Sequence, residues 1–278
     1  MRQDIAVVTG GARGIGRQVA CDLRAAGCTI VIGDLVGAEA RRTAAEIGDD
    51  VVGRALDVTD RRSVLALIDE VETAIGPITL WVNNAGIMPT GRFLDQDPSV
   101  MRDTIDVNYA GMVEATAAVL PLFVSRRSGT IVNLASATAV KPLAGLAVYS
   151  GAKAAVLAFS EALRRELIGS GVTVRVVLPN LVASPMGAGM TGATWFPSVP
   201  PSVVSRAVLR ARVSRRFART VPAHLGVVLR LLGLLPMPLR DRIDAALHAD
   251  RLGMGADAGA RAAYEREILG KLRGRRGD

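Results

Sequence analysis

Only two cysteines, Cys21 and Cys28, occur in the 278 residues, too few for a disulfide framework in a chain of this length. A reduced, cytoplasmic setting is therefore the default expectation. The N-terminal MRQDIAVVTG enters a strand-like apolar run directly, without the basic segment, apolar stretch and small-residue cleavage site of a signal peptide, and none is expected. Histidine is equally scarce. His224 and His248 lie 24 residues apart with no cysteine or carboxylate cluster beside them, so no metal site is predicted. The sequence has no GxSxG nucleophile elbow, which argues against that class of hydrolase. Nor does it have an internal repeat of solenoid period.

What is present is apolar side chain: half of all residues, enough to bury a large core and to argue against disorder. The net charge of +8 is unevenly spread, since residues 206–278 hold 16 basic and 7 acidic side chains. A basic protein raises the question of nucleic acid, but this tail has no recognition motif and few interleaved aromatics, and no nucleic-acid partner is expected. Within it, LGVVLRLLGLLPM (225–237) is too short and too interrupted, by Arg230 and Pro236, to span a bilayer. Residues 223–250 form an apolar stripe edged by arginines, which suits a membrane surface, the mouth of a substrate site or another subunit. Internal packing is the commoner fate of such a stripe.

The first 180 residues alternate regularly. β-Branched runs at 5–9, 29–33, 51–56, 78–83, 130–135 and 172–178 are separated by amphipathic segments of helical length. The two longest helices are predicted at about 99–125 and 147–169. This alternation predicts an α/β fold, a single doubly wound and mostly parallel sheet of Rossmann type, with helices on both faces and a helical C-terminal extension. Residues 1–222 are expected to form the dinucleotide-binding and catalytic domain, with 186–222 supplying a substrate loop, a helix and a last strand (FARTVP). Residues 223–278 are read as a basic, apolar-helical extension packed on that domain, ending in a frayed KLRGRRGD.

TGGARGIG (9–16) closes the first strand and opens the first helix. Gly10, Gly14 and Gly16 permit a tight turn and close approach of backbone to a pyrophosphate at the helix N-terminus. Asp34 ends the second strand, 18 residues after Gly16, where a carboxylate can accept from a ribose diol. It would repel a 2′-phosphate, which favours NAD, whereas Arg13 could pair with that phosphate and keeps NADP open. YSGAK (149–153) sets Tyr149 and Lys153 four apart on one helical face.

Taken together, these features resemble the short-chain dehydrogenase/reductase family over about residues 4–185. TGGARGIG matches that family's TGxxxGxG loop, Asp57 with Val58 in DVTD its adenine-contacting position, and NNAG (83–86) its post-strand motif. Asn108 in DVNYAG, Ser136, and the Tyr149–Lys153 pair match its catalytic set. Pro179 opens PNLVAS where the family has PGxxxT, so that Asn180 replaces a glycine and Ser184 a threonine. The resemblance implies cofactor contacts from Gly10, Arg13, Gly14, Ile15, Gly16, Asp34, Leu35, Asp57, Val58, Asn84, Ala85, Gly86, Tyr149, Lys153, Pro179, Val182 and Ser184.

It also implies an activity, the NAD(P)-dependent interconversion of an alcohol and a ketone or aldehyde, with Tyr149 as general acid/base. A free phenol titrates near about 10. Lys153 and a positive nicotinamide ring are expected to lower that value. Ser136 would hold the substrate oxygen, and Asn108, in a disturbed helix, would link Lys153 to a water chain. The stretches at 87–94, 137–148 and 193–197 are expected to wall a lipophilic substrate, with Arg92 and Lys141 as basic exceptions. A homodimer or homotetramer paired through the two long helices is implied. The competing reading is a nucleotide-sensing or membrane-peripheral binding protein of the same fold without turnover, against which the intact Asn108–Ser136–Tyr149–Lys153 set argues.

Overall fold

In a computed structural model, residues 4–190, 198–247 and 249–277 are described. Seven strands form one sheet in the order β3-β2-β1-β4-β5-β6-β7, with every pairing parallel. They are β1 (Ile5–Thr9), β2 (Thr29–Asp34), β3 (Val51–Ala55), β4 (Ile78–Asn83), β5 (Gly129–Leu134), β6 (Val172–Pro179) and β7 (Ala218–Val221). Strand order reverses between β1 and β4, the place where a doubly wound sheet opens a crevice at the strands' carboxyl ends. The predicted doubly wound sheet is present, and its last strand comes from the FARTVP segment.

Near-continuous apolar strands feed two cores. Ala6 and Val8 of β1 face one side, where Val19 and Leu23 of α1 (Gly14–Ala25) meet Val204 and Val208 of α7 (Pro201–Val213). α2 (Gly37–Ile47) contributes Ala40 and Ala44 to the same side. Ile5 and Val7 face the other side, against Val64 and Ile68 of α3 (Arg61–Ala74) and Val119 and Phe123 of α5 (Gly111–Arg126). Full burial of a side chain such as Phe123 or Val119 stabilises by about 1.5–3 kcal/mol. A polar ladder crosses this core. Asn83 donates to Asn133 (2.8 Å) and Asn133 to Ser160 (2.8 Å), while the Trp81 indole donates to Asn83 (2.7 Å). Each buried amide is thereby satisfied, which fixes the register of β4, β5 and α6 (Ala147–Glu166).

The long helix spans Pro98–Arg126 and is long and apolar enough to cross a membrane by length and composition alone. Its apolar residues Ala115, Val119 and Phe123 instead pack into the core described above. Asp97 caps it by accepting from the Ser99 N–H (2.7 Å), with Pro98 in the first turn. Between α4 (Pro98–Ile105) and α5, residues Asp106–Ala110 wind as a π-turn.

The C-terminal residues form α8 (Ala223–Gly233), α9 (Met237–Ala246), α10 (Arg251–Met254) and α11 (Ala258–Gly277). The expected fray at KLRGRRGD is a misreading, because α11 continues through Lys271 and Leu272, and Leu272 is buried with Ile268, Tyr264 and Ile87. Tyr264, Ile268 and Leu272 recur every fourth residue and so share one helical face.

Candidate active site

A cleft of about 230 Å³ opens at the switch between β1 and β4, and Asp34 and Leu35 line it together with Tyr149 and Leu146. Every residue named from the sequence as catalytic or cofactor-binding lines it, with the exception of Gly16.

At the nucleotide end, the β1–α1 turn needs its glycines for two different reasons. Gly10 has φ +62°, and a Cβ there would lie 2.8 Å from Ala85 Cα. Gly16 has its role in packing: a Cβ would lie 2.3 Å from the Gly10 carbonyl oxygen and 2.5 Å from Asn84 Nδ2. Asn84 Nδ2 in turn donates to the carbonyls of Thr9 and Gly10, both at 2.9 Å, so the post-β4 motif holds the turn in shape. No side chain among the described residues caps the N-terminus of α1, whose bare N–H groups and dipole suit a phosphate.

Asp34 accepts from the Ala12 N–H at 3.0 Å. Burial raises its pKa, opposed by that hydrogen bond and by the charges of Arg13 and Lys271. Asp57 accepts from the Thr59 N–H (2.9 Å) and hydroxyl (2.6 Å), which fixes the turn where Val58 meets the cleft. This combination of bare helix terminus, glycine backbone and buried carboxylate fits a dinucleotide.

At the other end, Asn108 lies in the π-turn, as expected of a disturbed helix. Its Nδ2 donates to Ile87 O (2.8 Å) and Thr104 O (2.9 Å), whereas its buried Oδ1 has no partner. A Cβ on Gly86 would lie 2.7 Å from that Oδ1 and 3.5 Å from Lys153 Nζ, so both groups border the same small polar space. Lys153 Nζ donates to Leu134 O (2.9 Å) and sits 5.8 Å from the Tyr149 ring centroid. Ser136 Oγ accepts from the Thr138 N–H (3.1 Å) and hydroxyl (2.9 Å) and hydrogen-bonds the Tyr149 phenol.

Before any nucleotide binds, burial dominates the electrostatics of the Tyr149–Lys153 pair. Burial pushes the phenol up to about 12, with the Ser136 hydrogen bond pulling the other way. Burial also pushes Lys153 down to about 8, which weakens the cation that was to activate the phenol. Asn180 needs no left-handed backbone, since among the described residues Arg127 is the only non-glycine with positive φ.

Of the stretches expected to wall a substrate, some residues border the cleft and others do not. Ile87, Met88, Ala137, Thr138, Leu143 and Leu146 line the cleft. Phe93 and Leu94 are exposed instead, and neither Arg92 nor Lys141 is among the lining residues. Lys141 is paired with Asp244 of α9, a tie to the C-terminal extension. The 193–197 stretch and His248 lie outside the described residues, and His224 is exposed at the start of α8.

The sequence reading missed the far wall. Leu252 packs with Tyr149, Met88 and Met190, and Tyr264, Ile268, Lys271 and Leu272 close the cleft from α11. The Tyr264 hydroxyl accepts from the Met88 N–H (3.2 Å), and buried Arg261 donates to Met186 O (2.7 Å) and Met88 O. Their signal was the i, i+4 stripe of Tyr264, Ile268 and Leu272.

Comparison with known proteins adds independent findings. The sequence model described as short chain dehydrogenase matches residues 4–193. A 3-oxoacyl-[acyl-carrier-protein] reductase, FabG, of Haemophilus influenzae is 34% identical over 194 residues, 69% of this chain and 79% of that protein. The structure of a short chain dehydrogenase from Burkholderia cenocepacia in complex with NADP superposes with a TM-score of 0.76 at 27% identity, covering 88% of this chain and 98% of that one. A 3-ketoacyl-(acyl-carrier-protein) reductase from Brucella melitensis complexed with NADH gives 0.72 at 25%, covering 78% and 96%.

Proposed function

The chain belongs to the short chain dehydrogenase family, as an NAD(P)-dependent oxidoreductase acting on CH–OH and ketone groups, and on that premise we propose that it interconverts a secondary alcohol and a ketone on a lipophilic substrate, with NAD as preferred nucleotide. The observation that carries the reading is the convergence of Asn108, Ser136, Tyr149 and Lys153 on one cleft with Asp34 and the glycine turn.

A bound nicotinamide dinucleotide would supply the hydride acceptor or donor. Gly10, Gly14 and the N-terminus of α1 would hold its pyrophosphate, and Asp34 its adenine ribose. Ser136 orients the substrate oxygen next to Tyr149. In the oxidative direction Tyr149 accepts the hydroxyl proton, and in the reductive direction it donates a proton to the carbonyl. A phenol held at about 12 by burial keeps its proton at neutral pH, which suits the acid role. Deprotonation for the base role needs a positive charge beside the ring, and Lys153 together with an oxidised nicotinamide would supply it. Asn108 Oδ1 and Lys153 Nζ border a space suited to a bridging water, through which the proton on Tyr149 is exchanged with solvent.

The reading of a lipophilic substrate rests on a wall of Met88, Leu143, Leu146, Leu181, Met190 and Leu252. Similarity to reductases named for 3-oxoacyl substrates favours an acyl ketone. The test pairs two measurements: titration of purified protein with NADH and NADPH by fluorescence, then turnover of long-chain ketones against short hydroxy acids. Tighter NADH binding and preference for the long-chain ketones are expected. Preference for the hydroxy acids would overturn the substrate reading.

A second reading concerns α8 and its junction with α9. Val227, Leu231 and Leu234 are 59%, 60% and 81% exposed, beside Arg230 and Arg240. This apolar and basic surface suits an anionic membrane. Co-flotation with anionic liposomes, lost in Leu231→Glu/Leu234→Glu, is the expected result, and no flotation of the unaltered chain contradicts it. Pairing into a homodimer or homotetramer through the 98–126 helix and α6 is proposed from the family resemblance alone.

A further inference from the structure

The extension contributes charge as well as apolar surface to the cleft. Arg13, in the glycine turn, pairs with Glu267 of α11. Lys271, one turn further along α11, donates to Glu267 (2.7 Å) and to Glu39 of α2 (2.8 Å). Lys271 and Arg13 both line the cleft, and both charges act on Asp34. The hydrogen bond from Lys271 and the charges of Lys271 and Arg13 hold the Glu267 carboxyl below its ordinary range. The adenosine end therefore gathers Asp34, Glu39 and Glu267 against Arg13 and Lys271, one negative charge in excess.

This arrangement bears on how the two nucleotides differ. They are distinguished by a 2′-phosphate on the adenine ribose, a dianion that a free guanidinium binds well and a carboxylate repels. Arg13 is the cation of the glycine turn that could receive it, and its charge is already taken up by Glu267. An ion pair this exposed contributes little to stability, so its consequence lies in where it holds the guanidinium. We propose that Glu267 is a specificity-determining residue for the nucleotide, which holds Arg13 away from a 2′-phosphate and so acts with Asp34 to favour the 2′-hydroxyl form. Lys271 is its positioning residue, fixing the carboxylate between α2 and the glycine turn. The inference rests on the reading of this cleft as a nicotinamide-dinucleotide site and deepens it.

The test is a set of dissociation constants for NADH and NADPH measured on the full chain and on Glu267→Gln, Arg13→Ala and Arg13→Ala/Glu267→Gln. Glutamine keeps the shape of a half-exposed side chain, so folding is not at issue. Glu267→Gln frees a guanidinium for a charge-assisted contact, and NADPH affinity should rise about tenfold while NADH affinity stays within about twofold. The gain should vanish in the double variant. An unmoved NADPH-to-NADH ratio in Glu267→Gln overturns the inference, as does a gain that survives the loss of Arg13. Failure of the unaltered chain to bind either nucleotide would overturn the underlying reading of the cleft instead.

Discussion

At the scale of single residues, the site depends on groups whose environment is built by neighbours. Gly16 illustrates this outside the cleft proper. A methyl group there would run into the Gly10 carbonyl and the Asn84 amide, and overpacking of this sort costs about 1–3 kcal/mol. Gly16→Ala should therefore weaken NADH binding about tenfold in a fluorescence titration. An unchanged dissociation constant would mean the turn can shift without consequence. Ser136 has partners on two elements, since it accepts from Thr138 in its own turn and contacts Tyr149 of α6. It is thus fixed before any substrate arrives.

At the scale of elements, the contrast between what could and could not be read from the sequence has a physical basis. Strands β1, β2 and β4 are buried on both faces along most of their length, so their apolar runs are nearly continuous and legible without a structure. Asn108, Ser136, Tyr149 and Lys153 were legible because their spacing along the chain reproduces a family pattern, and the cleft unites them. The family resemblance implied a disturbed helix at Asn108, but its bounds and its π form could not be read, because Asp106–Ala110 has no sequence periodicity of its own. A helical extension packed on the domain was legible, but not that α11 walls the cleft, because its apolar stripe is diluted by glycine and arginine and its packing partner is the rim of the cleft. Arg13 and Glu267 are 254 positions apart, a pairing that only the three-dimensional fold creates. If α11 is a built wall, Ile268→Ala should destabilise the protein by about 2–5 kcal/mol. Ile168→Ala, at a position 76% exposed, should change stability little. Urea denaturation of the two variants checks this, and equal midpoints would make α11 an unimportant appendage.

At the scale of the whole molecule, the buried Tyr149–Lys153 pair links stability to pH. Lys153 titrates near about 8 in the folded chain, below the 10.5 of a free lysine. Between those values the unfolded chain binds more protons, so stability rises with pH across that window. Below it the whole penalty of the buried ammonium is present, on the order of 3 kcal/mol. Tyr149 acts in the opposite sense at higher pH, because its folded value is raised from 10 to about 12 and stability falls as pH climbs through that range. The difference in melting temperature between the ligand-free protein and Lys153→Met should accordingly favour the variant at pH 7 and shrink from pH 8 upward. A difference that stays constant with pH would remove Lys153 from the titration.

The central claim is that Tyr149 moves the proton while the cleft around Asp34 holds the nucleotide independently of it. The direct test is the single-turnover rate of NADH oxidation by a long-chain ketone for the unaltered chain and for Tyr149→Phe, with NADH affinity measured alongside. The account predicts a fall in rate of about 10²–10⁴-fold, the usual contribution of a positioned general acid, with NADH binding within about twofold. A phenylalanine variant that turns over at close to the original rate would contradict it.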